Sequence, residues 1–234
     1  LQRHARYLAS QFLTVALNVD ILREIPVGEA TQSVFYRAVY LPARGEPDPL
    51  FAFPSVGRWP TAWTLYTGIS EQVAWAEYCR NHAPDVELSD VTGGVGLTST
   101  TLPSYAHLEV AKALPRRSLY ELSFDFRAMA DLTSPWAEDL LTRAGFDLQS
   151  FYADRASGYG DCPALAALVS ELGWEAIRVP SAAWQRPDGF CVPVFERGRE
   201  RLVDMVRALD SASPSVALAV ATSYPSGQRP AWLG

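Results

Sequence analysis

Val34-Phe35-Tyr36-Arg37-Ala38-Val39-Tyr40-Leu41 is the stretch on which the fold turns. Its β-branched and aromatic residues read as a strand. Alternation sets Phe35, Arg37 and Val39 on one face and Tyr36 and Ala38 on the other. An arginine sharing a face with Phe and Val is either part of a buried structural ion pair or a ligand clamp. Taken alone, the residues favour the structural role.

Outward from this strand the chain alternates helical and extended patterns. Upstream, Tyr7, Leu8, Phe12, Val15, Val19 and Leu22 recur at helical spacing, predicting a helix over 5–24 that Pro26 and Gly28 end. Downstream, 42–49 is turn-rich, 51–59 is irregular and Thr64 to Thr67 reads as a short strand. Ser70 caps a predicted helix reaching about Ala83, closed by Pro84. Leu119 to Phe126 alternates as a strand. Ser134-Pro135 opens a helix that stops at Gly145. Asp161 is expected to cap another, with Leu165, Leu168, Val169 and Leu172 on its apolar face and Gly173 as its stop. Ala176 to Val179 and Phe190 to Phe195 read as strands, the second pairing with Leu202 to Val206 across Arg197-Gly198. Val216 to Thr222 is a further apolar strand candidate.

Composition bounds the function. The 234 residues suffice for one substantial domain, with 48% hydrophobic and 20% charged residues. No run of about 18 uncharged apolar residues occurs, which argues against a membrane helix. The net charge of −6 argues against a nucleic-acid surface. Lys112 is the only lysine, so the cations are almost all arginine. Cys79, Cys162 and Cys191 match no metal spacing and read as buried free thiols in a reducing cytosol. The chain carries no usual signal peptide. Its first residue is Leu1 rather than Met, which reads as a missing natural start.

Most familiar catalytic constellations are absent. With only His4, His82 and His107, neither a Ser–His pair nor a metal-ligand cluster is signalled. No P-loop is present, and Gly94-Val95-Gly96 lacks the strand–turn–helix context of a dinucleotide fingerprint. An enzyme here works without imidazole or metal, which suits a leaving group that is already activated.

Four further residues stand out. Gly57-Arg58-Trp59 pairs a backbone free to approach a ligand with a guanidinium that forks onto phosphate oxygens, or else a loop arginine packed on Trp59. Tyr66 is either a core tyrosine or a stacking platform. Glu77 lies in the second turn of its helix, offering an ion pair to Arg80 or a carboxylate held in a cleft. Ser181 follows Pro180 at a strand end, where a hydroxyl caps a turn or bonds a ligand, capping being the commoner use.

In order and context, Arg37, Gly57-Arg58-Trp59, Tyr66, Glu77 and Pro180-Ser181 resemble the RES domain, a bacterial toxin family named for an Arg, a Glu and a Ser. The resemblance covers about residues 34 to 195. It implies an α+β fold: an ADP-ribosyltransferase-like split mixed β-core with surrounding helices. Residues 1–33 would be an N-terminal helical extension, 34–234 the NAD-binding catalytic domain, and 84–150 a candidate insertion. The activity implied is cleavage of the nicotinamide–ribose bond of NAD by hydrolysis or phosphorolysis. NAD is then a substrate and no metal is needed. Arg37 and Arg58 would hold the pyrophosphate, Tyr66 would pack on the nicotinamide or its ribose, Glu77 would face the developing charge, and Ser181 would bond the nicotinamide amide or the ribose. The implied partner is a helix-turn-helix, Xre-like antitoxin, and the implied location is the bacterial cytoplasm, with neither nucleic acid nor membrane contacted directly. Two alternatives stay open: transfer of ADP-ribose to a metabolic enzyme, and a non-catalytic interaction module.

Overall fold

The strand carrying Arg37 begins earlier than its apolar run suggests. In the computed structural model, which describes residues 17–40, 48–52, 57–82, 117–153, 158–184 and 187–207, strand β1 spans Val27–Tyr40. The boundary expected between 33 and 34 therefore falls inside it. The early half was hidden because register shifts at Gly28/Ala30 and Ala30/Ser33 break its alternation. Gln32, at φ +47°, sits in this irregular stretch. Its N–H donates to Asp125 Oδ1 at 2.7 Å.

Of the helix expected over 5–24, the described residues hold one short helix, α1, at Val19–Leu22. Asn18 caps it, its side chain accepting from the N–H groups of Asp20 and Ile21. The earlier part of that helix, the 42–47 loop, the 84–116 stretch, the Val216 to Thr222 strand and the tail lie outside the described residues.

The remaining elements follow in order. Strand β2 is Thr64–Gly68, α2 is Glu71–His82, β3 is Arg117–Asp131 and α3 is Pro135–Arg143. A 3₁₀ turn at Leu148–Tyr152 leads to α4, Cys162–Glu171, then β4, Ala176–Pro180, and β5, Phe190–Phe195. Helix α5 is Glu196–Arg199 and β6 is Leu202–Arg207.

The strands run β1-β2-β5-β4-β3, and β1 also pairs with β3, which closes the five into a barrel. The β3–β4 pairing is parallel and the others are antiparallel, so the barrel is mixed. Phe35, Leu65, Leu122, Phe124, Phe126, Val192 and Val194 form one buried cluster. A second cluster joins Trp59, Trp75, Leu140, Phe151, Leu165 and Ile177 beneath the helices. Burying one such large side chain stabilises the fold by about 1.5–3 kcal/mol.

Two expectations are corrected here, the β5–β6 pairing and the Asp161 cap. Strand β5 does not form a hairpin with β6, because Glu196–Arg199 makes a helical turn instead. A Cβ on Gly198 would collide with the Glu175 carbonyl oxygen, so the chain passes there as glycine and emerges beside β3, with which β6 pairs. Within the candidate insertion over 84–150, the described part from 117 on carries β3, the strand on which the barrel closes, and α3. Asp161 precedes α4 without a side-chain cap; its carboxylate accepts from the Asp147 N–H at 2.8 Å instead.

Ser134 does cap α3, accepting from the Ala137 N–H, and Gly145 follows at φ +91°. Among the described residues no helix is long and apolar enough to cross a membrane.

Candidate functional site

Helix α2 carries Glu77 and is pinned at its start. Ser70 Oγ accepts from the Val73 N–H at 3.3 Å. A Cβ on Gly68 would stand 2.8 Å from the Ala74 nitrogen and the Val73 side chain, so glycine lets the helix rest on the end of β2. Val73, Ala74, Trp75, Ala76 and Tyr78 are all buried, so Glu77 is a polar group among the buried apolar residues of the middle of the helix.

Its partner comes from 104 residues further along the chain: Ser181 Oγ donates to Glu77 Oε1 at 2.7 Å. The same hydroxyl accepts from the N–H groups of Ala183 at 3.2 Å and Trp184 at 2.9 Å. Of the two roles weighed for Ser181, the capping one is filled after β4, and the hydroxyl also presents its proton to the Glu77 carboxylate. Two further donors reach Oε1, the Ala183 N–H and the Cys191 Sγ, each at 3.3 Å. Fixing one carboxylate oxygen with three donors fixes the plane and direction of the group.

Cys191 was expected only as a buried thiol. Nothing in Phe190-Cys191-Val192 marks it as polar machinery, because its partner is set by the pairing of β4 with β5. Burial and the neighbouring Glu77 charge push its thiol well above the ordinary range, so it stays protonated and donates. Cys162 is also free and buried, donating to the Ser150 carbonyl at 3.1 Å. The Cys79 side chain and those of Arg80 and Asn81 lie outside the described residues.

Arg58 lies on a loop shaped by Gly57, whose φ is +104°. A Cβ there would fall 2.5 Å from the Tyr66 hydroxyl. That hydroxyl accepts from the Trp59 N–H at 2.8 Å and so ties the loop to β2. Arg58 donates from one terminal nitrogen to the Ala153 carbonyl at 2.9 Å. Its buried Nε has no hydrogen-bond partner among the described residues. The Arg58 charge is felt at Tyr66, Cys162 and Cys191. Since Cys191 bonds Glu77, Arg58 and the Glu77–Ser181 pair belong to one neighbourhood. Burial, the largest cause, raises the Tyr66 phenol above its ordinary range, so it stays neutral.

The alternative weighed for Arg58, packing on Trp59, is not formed. Trp59 packs against Phe151, ring centroids 6.2 Å apart. Arg58 instead stands over the ring of Tyr159 at 5.8 Å. Gly158, Tyr159 and Gly160 are all left-handed, at φ +67°, +64° and +56°. A non-glycine residue held there costs about 1–3 kcal/mol. A half-exposed cation–π contact contributes about 0.5–1 kcal/mol. The sequence signal for this residue is its place between two glycines, Gly158-Tyr159-Gly160.

Arg37 is placed differently from the other four. One terminal nitrogen donates to the Tyr66 carbonyl at 3.1 Å and the other to the Phe51 carbonyl at 2.6 Å. Strands β1 and β2 share a single pair, Tyr36 with Gly68, so the guanidinium spans the opening where they diverge. Burial lowers its pKa to about 10, with the Asp48 charge opposing, and it stays charged at neutral pH. Its Nε is buried without a partner among the described residues. A side-chain bond thus joins Glu77 to Ser181, Tyr66 ties the Arg58 loop to β2 through the Trp59 N–H, and Arg37 bonds the Tyr66 carbonyl. No group of three or more His, Cys, Asp or Glu among the described residues could hold a metal ion.

No protein-family model and no curated protein sequence matches the chain. A solved structure does. A chain of the M. tuberculosis MbcT–MbcA toxin–antitoxin complex superposes with a TM-score of 0.52 at 19% identity, over 87% of this chain and 96% of that one. The mixed barrel with its helices is therefore a fold that this chain shares with a component of a toxin–antitoxin complex.

Proposed function

We propose that the chain is the toxin of a bacterial toxin–antitoxin pair and that it cleaves the nicotinamide–ribose bond of NAD. The observation that carries this reading is the 2.7 Å bond from Ser181 to Glu77. It joins the Glu and the Ser that the RES resemblance requires, and neither residue has a local reason to find the other. The fold shared with a chain of a toxin–antitoxin complex supports it independently.

The chemistry suits these groups. The bond between the anomeric carbon and the pyridinium nitrogen breaks, and its electron pair neutralises the ring, so nicotinamide leaves without a proton. The sugar becomes oxocarbenium-like, as in glycoside hydrolysis. Water or phosphate adds to the anomeric carbon, and water then gives its proton to solvent. A carboxylate fixed beside the growing positive charge lowers the barrier without reorganising, a contribution of about 3–4 kcal/mol for a well-placed group. Glu77 has this role, oriented by Ser181 and Cys191.

Arg58 is the first candidate for the pyrophosphate, because its Nε, without a partner among the described residues, is left to donate to an anion. Arg37 is the second, through its own Nε, while its terminal nitrogens hold the barrel opening. Tyr66 lines the same neighbourhood with its hydroxyl committed to Trp59, which leaves its ring face as the contact for nicotinamide or ribose. An antitoxin, expected to be of the Xre-like helix-turn-helix kind, would restrain the activity in the cell by occupying this cleft.

Purified protein incubated with NAD, with and without inorganic phosphate, and followed by proton and phosphorus NMR tests the reading. Free nicotinamide supports it, and dependence on phosphate separates phosphorolysis from hydrolysis. Label from NAD appearing on lysate protein would point to ADP-ribosyl transfer instead. Intact NAD and no label would leave a non-catalytic interaction module.

A further inference from the structure

Tyr159 is a bulky residue in a conformation that suits glycine. Its φ is +64°, between Gly158 at +67° and Gly160 at +56°. Gly160 is fixed there for a packing reason, since a Cβ would collide with the Ser150 hydroxyl. For Tyr159 the described residues show no such reason. Its cation–π contact with Arg58 recovers less than the left-handed backbone costs. Glycine at this position would let the loop fold with less strain, so the ring is retained for something that the free protein does not display. The ring is half-exposed, and Arg58, which stands over it, has an Nε without a hydrogen-bond partner among the described residues.

We propose that Tyr159 is a ligand-binding residue: its ring stacks on a flat heterocycle of a nucleotide while Arg58, 5.8 Å from the ring centroid, takes the phosphate joined to it. This deepens the reading of the site as an NAD cleft and rests on it. The class of ligand follows from the pair. An aromatic face beside a guanidinium fits a molecule that carries a planar ring a few ångströms from an anion, and stacking on an aromatic side chain is tolerant of which ring it is. The left-handed turn serves to aim a side chain where an ordinary loop would not.

Three variants separate ligand contact from structural support: Tyr159→Gly, Tyr159→Ala and Tyr159→Phe. Thermal unfolding without ligand reads the backbone. Tyr159→Gly is expected to melt within about 2 °C of the wild type or above it, because relief of strain offsets the lost contact. Tyr159→Ala, which keeps the strain and loses the ring, melts lower. Titration calorimetry with NAD and with ADP-ribose reads the contact. Tyr159→Gly and Tyr159→Ala lose about tenfold in affinity for NAD, the scale of one lost stack. Tyr159→Phe keeps affinity within about twofold, since the stacking face remains. Loss with NAD alone assigns the ring to nicotinamide, and loss with both ligands assigns it to the adenosine end.

The proposal is overturned if wild type binds NAD and Tyr159→Gly binds it equally well. It is also overturned if Tyr159→Gly melts as low as Tyr159→Ala and loses affinity only in step with stability. A wild type that neither binds nor cleaves NAD overturns the cleft reading and this assignment together, a result distinct from the other two.

Discussion

Ser181→Ala tests the site at its most connected atom. The hydroxyl donates to Glu77 Oε1 at 2.7 Å and accepts from the Ala183 and Trp184 N–H groups at 3.2 and 2.9 Å. Ser181 is 1% exposed, so water does not replace these bonds. A hydrogen bond to a charged group contributes about 1.5–3 kcal/mol and a neutral one about 0.5–1.5 kcal/mol. The Ala183 N–H retains Glu77 Oε1 as a second acceptor at 3.3 Å. The charged bond and the Trp184 bond together give about 3 kcal/mol. At about 2–4 °C per kcal/mol for a chain of this length, Tm should fall by about 6–12 °C in thermal unfolding followed by circular dichroism. The Glu77→Gln background supplies the control. There the acceptor is neutral, and Ser181→Ala should cost about 1 kcal/mol less. A Tm loss below about 2 °C, or equal losses in both backgrounds, would refute the assignment of Ser181 to Glu77.

Glu77→Gln keeps the shape of the side chain and removes its charge; nicotinamide release should slow by about 10²–10³ with NAD affinity changed less than about threefold, and turnover near wild type would sink the electrostatic role. Gly57→Ala adds a Cβ against the Tyr66 hydroxyl at a φ of +104°. It should lower stability by about 2 kcal/mol and weaken NAD binding as Arg58 shifts, and a variant as stable as wild type in urea unfolding would contradict that geometry. Glu175 is buried, which alone would raise its pKa, yet donation from the Arg127 and Ala128 N–H groups and from Arg201 outweighs burial and holds it below the ordinary carboxylate value. The stability it contributes is complete above about pH 4.3, the unfolded value, and is lost as pH falls through the lower folded one. Glu175→Gln should therefore be less stable at neutral pH and show a flatter acid limb in Tm against pH, and parallel curves would exclude Glu175 as the cause.

How much of this was legible in the sequence depended on the range of the forces involved. Ser70 and Ser134 announced their helices because a cap is a local bond, and Phe190–Phe195 announced a strand through composition. Long-range matters were not so readable. The β5–β6 hairpin failed because tight packing of Gly198 against Glu175 turns the chain, a contact between residues no pattern connects. Strand β1 was read short because bulges break its period. The polar residues of the site were named, yet their roles depended on partners that only the fold supplies. Arg37 bonds carbonyls on Tyr66 and Phe51, Arg58 meets Tyr159 rather than Trp59, and Cys191 becomes a donor because β5 runs beside Ser181.

Glu175, just before β4, and Glu77, on α2, are bound by donors of different kinds. Glu175 is bound by two backbone N–H groups and by the Arg201 guanidinium at 2.6 Å. The cation cancels its charge, and the pair fastens the start of β6 to the junction of β3 and β4. Three of the donors to Glu77, all on Oε1, are a hydroxyl, an amide and a thiol, none of them charged. Neutral donors orient a carboxylate without cancelling its field. If the Glu77 site were structural, replacing Cys191 with valine should alter stability alone. If the field serves the reaction, Cys191→Val should lower kcat for nicotinamide release with NAD affinity unchanged, and Cys191→Ser, which restores a donor, should recover it. A valine variant with wild-type kcat would place Cys191 among the merely buried thiols.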